Sequence, residues 1–384
     1  MRRKLTMGAT AGVLALGLAA CGGGGAGSTG DEPAGGGAEP SDITIGVAMP
    51  TETSERWIAD GNAVKAGLED LGYKVDLQYA GDDIPTQTQQ IDQMITSGAD
   101  VLIIASIDGT ALTSQLEAAA AANIPVIAYD RLIRDSENVD FYVTFDNFAV
   151  GVAQGTALLR GMGIVDESGE EVAGVTGPFN VELFAGSPDD NNAGFFFNGA
   201  MSVLQPYIDS GVLVVKSGQT DFDTVATLRW SQEAAQKRME DLLTSTYSDG
   251  SKLSGVLAPY DGISRGIITA LQGVGMGPTI EAGLPIVTGQ DAEIASVKLI
   301  NDGVQSSTIF KDTRKLAEQS IKAAQAYIDG EEPEANDTKT YDNGKKVVPS
   351  YLLTVDTVFT ADITPLLIDS GYWSEAEVQS GVAD

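Results

Sequence analysis

The sequence predicts an α/β protein with two doubly wound parallel sheets, one after the other along the chain. Short apolar runs such as residues 101–105 and 126–129 alternate with stretches of helical periodicity. Unbroken runs of this kind are typical of parallel strands covered on both faces. The alternation restarts after residue 178, which predicts a second sheet and therefore two lobes. Polar side chains follow most of the strands, at the edge where parallel sheets bind their ligands.

The globular part is predicted to begin near Asp42. Its first strands are predicted at residues 43–49, 75–79, 101–105, 126–129 and 141–145. The first helix carries Trp57, Val64, Leu68 and Leu71 at steps of 7, 4 and 3 residues, which suits one face packed on a sheet. Further helices are predicted at residues 88–97, 112–120 and 147–159.

The second half repeats this alternation. Strands are predicted at residues 179–184, 212–215, 255–259, 284–288 and 307–310. Helices are predicted at 195–204, 263–271 and 313–327, with one more that holds Trp230, Ala234, Met239 and Leu242. Residues 341–353 are predicted to form a late pair of strands.

The chain is long enough for two cores and is strongly acidic. It has 384 residues, with 23 Lys and Arg against 54 Asp and Glu, and a net charge of −31. Such a surface repels nucleic acid and anionic lipid headgroups. Histidine is absent, which excludes Ser-His-Asp catalysis, Cys-His catalysis and imidazole metal sites. We expect no nucleic acid, cofactor or metal.

Two local motifs suggest cofactors only superficially. Gly273–Gly277 has the glycine content of a dinucleotide-binding turn, but it follows a helix rather than a strand. Residues 189–192 lack the alternation and the terminal Glu of an EF-hand loop, so they do not support a calcium site.

The N-terminus predicts an exported lipoprotein. Met1–Lys4 is basic, and the 14-residue apolar run from Met7 to Ala20 is shorter than the roughly 20 residues that span a bilayer. The run ends in Leu-Ala-Ala-Cys, which resembles a bacterial lipobox, with cleavage before Cys21 and lipid on its sulfur. Residues 22–41 are rich in glycine and predict a flexible tether. The protein is therefore expected outside the cytoplasmic membrane, anchored to its outer face.

The candidate site consists of acids, bases, an amide and two indoles near the ends of the strands. These residues are Arg56, Trp57, Asp108, Asp130, Arg131, Asp190, Asn192, Trp230, Asp261, Asp291 and Lys311. Carboxylates accept hydrogen bonds from hydroxyls, whereas guanidinium and ammonium groups donate to them. The mixed charges favour a neutral polyol such as a monosaccharide, whose C–H face can lie on an indole. Charge-assisted hydrogen bonds of roughly 1.5–3 kcal/mol each suffice for micromolar binding.

Other interpretations of these residues remain open at the level of sequence. Asp108 and Asp130 could cap helices, with Arg131 neutralising Asp130. Trp57 could be a core residue, and Arg56 could pair with Glu52 or Asp60. A different function class is a secreted glycoside hydrolase that uses Asp130 and Asp261 as paired carboxylates. A sugar sensor that presents its ligand to a membrane partner is a further alternative.

Nine short motifs, taken together and in order, resemble the type I periplasmic sugar-binding proteins of ABC transporters. They are similar in particular to ChvE-type multiple-sugar-binding receptors and their xylose-binding relatives. The motifs are Ser54–Trp57, Ile104–Gly109, Ala128–Ile133, Thr144–Asn147, Gly186–Asn192, Thr227–Trp230, Pro259–Gly262, Gly289–Ala292 and Thr308–Asp312.

The resemblance implies two lobes that are joined by a three-strand hinge and close on one pyranose. Arg56, Asp130 and Arg131 would bind it from the first lobe. Asn192, Asp261, Asp291 and Lys311 would bind from the second lobe or the hinge, with Trp57 and Trp230 stacked on the sugar. Asp108 and Asp190 are weaker candidates. Relatives carry Asn where this chain has Tyr260, so that contact is expected to move to Asp261.

The implied crossings near Asp146, Lys311 and Pro349 divide the chain. Residues 42–146 and 312–349 would form the first lobe, and residues 147–311 and 350–384 the second. The implied protein is a monomer without enzymatic activity. Its implied partners are an aldose such as glucose, galactose, arabinose or xylose, an ABC permease and the membrane that holds its lipid.

Overall fold

The structure is a computed structural model that describes residues 39–383. Cys21, the signal sequence and most of the predicted tether lie outside the described residues. Among the described residues, no helix combines the length and hydropathy needed to cross a membrane.

The described residues form twelve strands and eleven α-helices. The strands are β1 (Thr44–Met49), β2 (Lys74–Tyr79), β3 (Val101–Ile104), β4 (Val126–Tyr129), β5 (Phe141–Phe145), β6 (Phe179–Leu183), β7 (Leu213–Val215), β8 (Gly255–Leu257), β9 (Ile286–Val287), β10 (Thr308–Phe310), β11 (Ser350–Leu353) and β12 (Asp356–Val358). The helices are α1 (Glu55–Asp70), α2 (Ile84–Thr96), α3 (Thr113–Ala121), α4 (Asn147–Gly161), α5 (Asn191–Asp209), α6 (Phe222–Val225), α7 (Gln232–Ser245), α8 (Asp261–Gly273), α9 (Ile294–Asn301), α10 (Thr313–Ile328) and α11 (Glu375–Ser380). A π-helical turn, Ile363–Ile368, precedes α11.

Two parallel sheets confirm the predicted fold class. The first has six strands in the order β11-β5-β4-β3-β1-β2, and the second has four in the order β7-β6-β8-β9. Helices cover both faces of the first sheet, so β3, β4 and β5 are buried along their whole length. That burial is why these strands are unbroken apolar runs. β10 and β12 form a separate antiparallel pair.

The chain passes between the two sheets more than once. After β5 it enters α4, which packs against β8 and β10, and after β10 it returns as α10, which packs against α1 and β5. β11 then pairs with β5 in the first sheet, and β12 pairs with β10. The boundary predicted after Pro349 is therefore too early, because Ser350–Leu353 still belongs to the first sheet. The predicted late strand pair is also wrong, since residues 341–353 contribute only one strand.

Three helix starts differ from the prediction because of capping groups. The Asp83 carboxylate accepts from the backbone N of Thr86 at 2.9 Å, so α2 begins before residue 88. Asp190 likewise accepts from the backbone N of Asn192 at 2.9 Å and starts α5 ahead of Phe195. Ser231 caps α7, which leaves Trp230 outside that helix. Short polar residues that accept from the first-turn N–H groups commonly fix helix starts in this way.

Glycines allow α4 and α5 to pack with their backbones in contact. A Cβ added at Gly151 would lie 2.0 Å from the carbonyl oxygen of Phe196, and one at Gly199 would lie 2.2 Å from that of Phe148. These contacts are with backbone atoms, which cannot rotate away as a side chain can. The close approach of the two helices in the second lobe therefore depends on both glycines.

We predict that Gly151→Ala lowers the free energy of unfolding by about 1–3 kcal/mol, because the helices must separate to admit the methyl group. Gly194→Ala is the matched control in α5, where an added Cβ would have no atom within 4 Å. There we expect unchanged or slightly higher stability, because alanine favours helix over glycine. Urea unfolding of both variants measures the difference, and equal midpoints would contradict the proposed close contact.

Candidate functional site: a charged cleft between the two sheets

A cavity of about 470 Å³ lies between the two sheets at the carboxyl ends of their strands. Nine of the eleven predicted residues line it: Arg56, Trp57, Asp130, Arg131, Asp190, Asn192, Trp230, Asp291 and Lys311. Asp108 and Asp261 do not. The cavity combines residues from both lobes, as expected for parallel sheets that face each other across a cleft.

Arg56 lies in the first turn of α1, directly beyond β1, and is the centre of the buried charges. Its Nε is 3.0 Å from Asp60, one Nη pairs with Asp130, and the other is 3.8 Å from Asp291. Burial disfavours its charge, but the three carboxylates outweigh burial and raise the pKa of Arg56. The alternative of a pair with Asp60 is therefore correct, although this pair is buried rather than solvated.

Asp130 follows β4 with a left-handed backbone, at φ 60°. Its carbonyl oxygen accepts three hydrogen bonds: from the Tyr142 hydroxyl at 2.7 Å, the Thr144 hydroxyl at 2.9 Å and the Asn192 amide at 2.7 Å. Burial alone would raise the pKa of the Asp130 carboxyl, but Arg56 and the nearby Lys311 lower it overall. Asp130 is therefore an ionised acceptor held in one orientation.

The opposite wall is held by its own polar contacts. Asp190 caps α5, and its carboxylate also lies 3.3 Å from Nε of Arg131. This ion pair joins the two lobes. Burial raises the pKa of Asp190 in spite of this partner. The amide of Asn192 donates to the carbonyl of Asp130, and its Oδ1 lies 2.9 Å from the Tyr142 hydroxyl, whose one proton it shares with that carbonyl. The orientation of Asn192 is therefore fixed from the first lobe.

Asp291 and Lys311 form an ion pair of 2.8 Å at the far end of the cleft. The backbone at Asp291 and Ala292 is left-handed, with φ of 92° and 49°. The indole N–H of Trp373 donates to the carbonyl of Ala292 at 2.9 Å, and the ring of Tyr372 packs on Phe310, beside Lys311. The C-terminal segment thus supports this pair from behind.

The two indoles have different surroundings. The guanidinium groups of Arg56 and Arg131 lie 4.6 and 5.0 Å from the centre of the Trp57 ring, which is only 5% exposed. Trp230 is half-buried and covers Gly186, where an added Cβ would lie 2.0 Å from the indole. The ring of Trp230 is therefore the more accessible of the two for a ligand.

Strained backbone is concentrated at the cavity. Eight non-glycine residues among those described have positive φ, and Asp82, Asp130, Arg229, Trp230 and Asp291 among them line the cavity. Such conformations cost about 1–3 kcal/mol each and persist only where surrounding contacts impose them.

Asp108 and Asp261 serve the structure behind the cavity instead. The Asp108 carboxylate accepts from the backbone N and the hydroxyl of Thr110, both at 2.8 Å, so it stabilises a turn. Asp261 is fully buried and accepts from Gln305 at 2.8 Å, from the backbone N of Glu293 at 2.9 Å and from Thr308 at 3.1 Å. Placing Asp261 among the ligand contacts is not supported by this geometry, because both its oxygens point to these donors.

The cavity is also lined by side chains that the sequence does not predict as ligand contacts. They are Thr51, Thr53, Ser54, Asp82, Phe196, Arg229, Ser231, Gln232, Glu233, Tyr260, Arg265 and Gln290. Arg229 and Gln290 directly precede selected residues, and Arg265 lies one helical turn after Asp261. Adjacency and helical spacing could have identified these three residues. Nothing in the local sequence distinguishes Gln232 or Glu233.

The chemistry of this cavity is that of a balanced polar binding site. Five basic and five acidic side chains line it, so a bound ligand meets similar numbers of charged donors and acceptors. Within residues 39–383, no group of three or more acidic or cysteine side chains is arranged to hold a metal ion.

Comparison with known proteins agrees with the fold. Residues 45–332 match the model of the periplasmic binding protein domain. The multiple sugar-binding periplasmic receptor ChvE of Rhizobium radiobacter is 55% identical over 336 residues, covering 88% of this chain and 92% of that protein. The D-xylose-binding periplasmic protein of Escherichia coli is 36% identical over 341 residues, covering 89% of this chain and 94% of that protein.

A solved structure gives the same relation in three dimensions. An ABC transporter solute-binding protein from Clostridium phytofermentans, with bound β-D-glucose, superimposes with a TM-score of 0.81 at 48% identity. The match covers 87% of this chain and 99% of that one.

We predict that Asp261→Asn lowers the free energy of unfolding of the ligand-free protein by about 1–3 kcal/mol, because its amide would face a buried donor. Burial and the nearby Glu293 also raise the pKa of Asp261 to about 8. The folded state holds the proton of this carboxyl more tightly than the unfolded state does. The resulting gain in the free energy of unfolding is complete below the unfolded-state pKa of about 3.9 and is lost as the pH rises towards 8. Urea unfolding from pH 4 to 8 should show this slope in the wild type and its loss in the variant. Unchanged stability would contradict the structural role assigned to Asp261.

Proposed function

Because the chain belongs to the periplasmic binding protein domain family, we propose that it binds one neutral monosaccharide in the cleft and delivers it to an ABC-type importer. The ligand is an aldose such as glucose, galactose, arabinose or xylose. Relatives whose names specify several sugars or xylose, and a solved relative that holds β-D-glucose, support this class of ligand.

The balance of buried charge is the observation that carries the proposal. Arg56, Asp130, Asp291 and Lys311 are each less than a tenth exposed and already neutralise one another in ion pairs. An ionic ligand would disturb that balance, and burying an uncompensated charge is costly. A sugar adds no charge, and each of its hydroxyls both donates and accepts.

The same residues retain capacity for ligand hydrogen bonds. The ion pairs of Asp291 use Oδ1, and that of Asp130 uses Oδ2, so each has a second oxygen that can accept from a hydroxyl. Lys311 and Arg131 have further N–H groups to donate. We assign Arg56, Asp130, Arg131, Asp190, Asn192, Asp291 and Lys311 to the polar contacts, with Trp230, and less extensively Trp57, against the C–H face.

Binding by both walls implies closure of the lobes. A sugar that touches Asp130 on one lobe and Asn192 or Asp291 on the other makes all its contacts only when the walls are close. Ligand binding then favours the closed state through its differential affinity for that state.

The hydrolase alternative needs two carboxylates that flank a glycosidic bond. Asp261, one member of the suggested pair, lies outside the cavity lining, and the pKa of Asp130 is lowered, which makes it a poor proton donor. The arrangement therefore favours binding over hydrolysis.

We also propose that the protein is a monomeric lipoprotein held at the outer face of the cytoplasmic membrane through Cys21. The support is the basic N-terminus, the short apolar run and the Leu-Ala-Ala-Cys sequence before a glycine-rich segment.

Asp291→Ala should weaken binding of the best aldose by roughly 1.5–3 kcal/mol, because it removes a hydrogen-bond acceptor and leaves Lys311 without its ion-pair partner. Asp108→Ala is the matched control, because Asp108 is a strand-end carboxylate of the first lobe that lies outside the cavity, and this variant should bind normally. Titration calorimetry, after a thermal-shift screen of common aldoses, measures both affinities. A wild type without a saturable response to any aldose would refute the proposed ligand class, whereas normal binding by Asp291→Ala would remove only that residue from the site.

Cys21→Ala should release the protein from membranes without a change in aldose affinity, because the lipid can no longer attach and the cleft lies in another part of the chain. Stable anchoring requires more than one acyl chain, which a lipidated Cys21 would supply. Fractionation of cells that express each form, followed by a salt wash, measures the change. Continued partition of the variant with membranes would contradict the anchor.

A further inference from the structure

Ser54 occupies the capping position of α1 but does not cap it. Its hydroxyl forms no hydrogen bond with the first-turn N–H groups. Instead it donates to Oε1 of Glu293 at 2.8 Å. Ser54 follows β1 of the first sheet and Glu293 follows β9 of the second, so this bond joins the two lobes directly.

Glu293 is held rigidly as the acceptor of this bond. The Tyr260 hydroxyl also donates to Oε1, at 2.7 Å, and Nη2 of Arg265 donates to Oε2 at 2.7 Å. The backbone N of Glu293 donates to Asp261 at 2.9 Å. The carboxylate is almost completely buried, so it cannot follow Ser54 if the lobes separate.

We propose that Ser54 and Glu293 are positioning residues that hold the two walls of the cleft together and thereby slow the release of ligand. Ser54, Tyr260 and Arg265 all border the cavity, so the bond lies at the edge of the cleft and connects protein atoms only. It must break whenever the lobes open. The proposal rests on the proposed sugar-binding function for its ligand, but not for the existence of the contact between the lobes.

Ser54 does not cap α1, and this distinguishes its proposed role between the lobes from a purely structural role in that helix. Ser is a preferred capping residue, and a capping bond from its hydroxyl stabilises a helix. Here the hydroxyl serves the opposite lobe instead. A hydrogen bond to a carboxylate is among the stronger ones in proteins, so its loss should have a clear effect on release.

The central test is the rate at which a bound aldose dissociates, followed by stopped-flow tryptophan fluorescence. Ser54→Ala should dissociate about tenfold faster, with little change in association rate. Ser54→Thr retains the hydroxyl and should stay close to the wild type. Ser54→Asp should dissociate at least as fast as Ser54→Ala, because its carboxylate meets that of Glu293, although Asp caps helices well and suits a helix N-terminus.

These variants distinguish positioning from capping. If Ser54 served only α1, Ser54→Asp would behave like the wild type or better, which would overturn the proposal. A double-mutant cycle with Glu293→Gln gives the second test. The Ser54→Ala effect should shrink in that background, whereas an undiminished effect would show that Ser54 acts directly on the ligand.

A measurement without sugar keeps the two proposals separate. Small-angle scattering of the full chain that carries Cys21→Ala should give a larger radius of gyration for Ser54→Asp than for Ser54→Thr. Superimposable profiles would refute the contact as a determinant of closure. Because this comparison needs no ligand, it decides the proposal even if the aldose screen refutes the proposed function.

Discussion

The buried guanidinium of Arg56 is the constraint on which the site depends. It pairs with carboxylates from α1, from the end of β4 and from the end of β9, so it fixes elements of both lobes around one charge. A buried cation is tolerated only where such partners compensate it. Two of the carboxylates that neutralise Arg56, those of Asp130 and Asp291, also border the cavity. Their orientation is therefore determined before any ligand arrives, which is the condition for strong binding by few contacts.

Most of the fold could be predicted from the sequence because parallel strands covered on both faces must be apolar without interruption. β3, β4 and β5 satisfy this rule and lie within a residue of their predicted ends. The sequence does not predict β12, α6, α9 or α11, since elements of three to eight residues leave little periodic pattern. β11 was placed in the wrong lobe, because which sheet a strand joins depends on pairing with β5, far away in sequence.

The site was predictable where proximity to a strand end was sufficient, as for Arg56, Asp130 and Asn192. It was not predictable where orientation decides. Asp261 follows β8 just as Asp291 follows β9, yet its carboxylate points to Gln305 and Thr308 rather than into the cavity. Similarly, the left-handed backbone of Arg229 and Trp230 is imposed by tertiary contacts, since neither residue type favours it. Local sequence carries no signal for either effect.

The place of β11 has a consequence for the order in which the protein can be completed during synthesis. β5 becomes an inner strand only when residues 350–353 pair with it, and the whole second sheet is made in between. Until then β5 is an open edge, with unpaired backbone groups beside apolar side chains, and such edges promote aggregation. A nascent chain that stops after β10 would have nearly every residue of its ligand site but an unfinished first sheet. Residues 350–353, in the final tenth of the chain, therefore cover the exposed edge of β5. The first lobe is complete only after the second sheet has been synthesised.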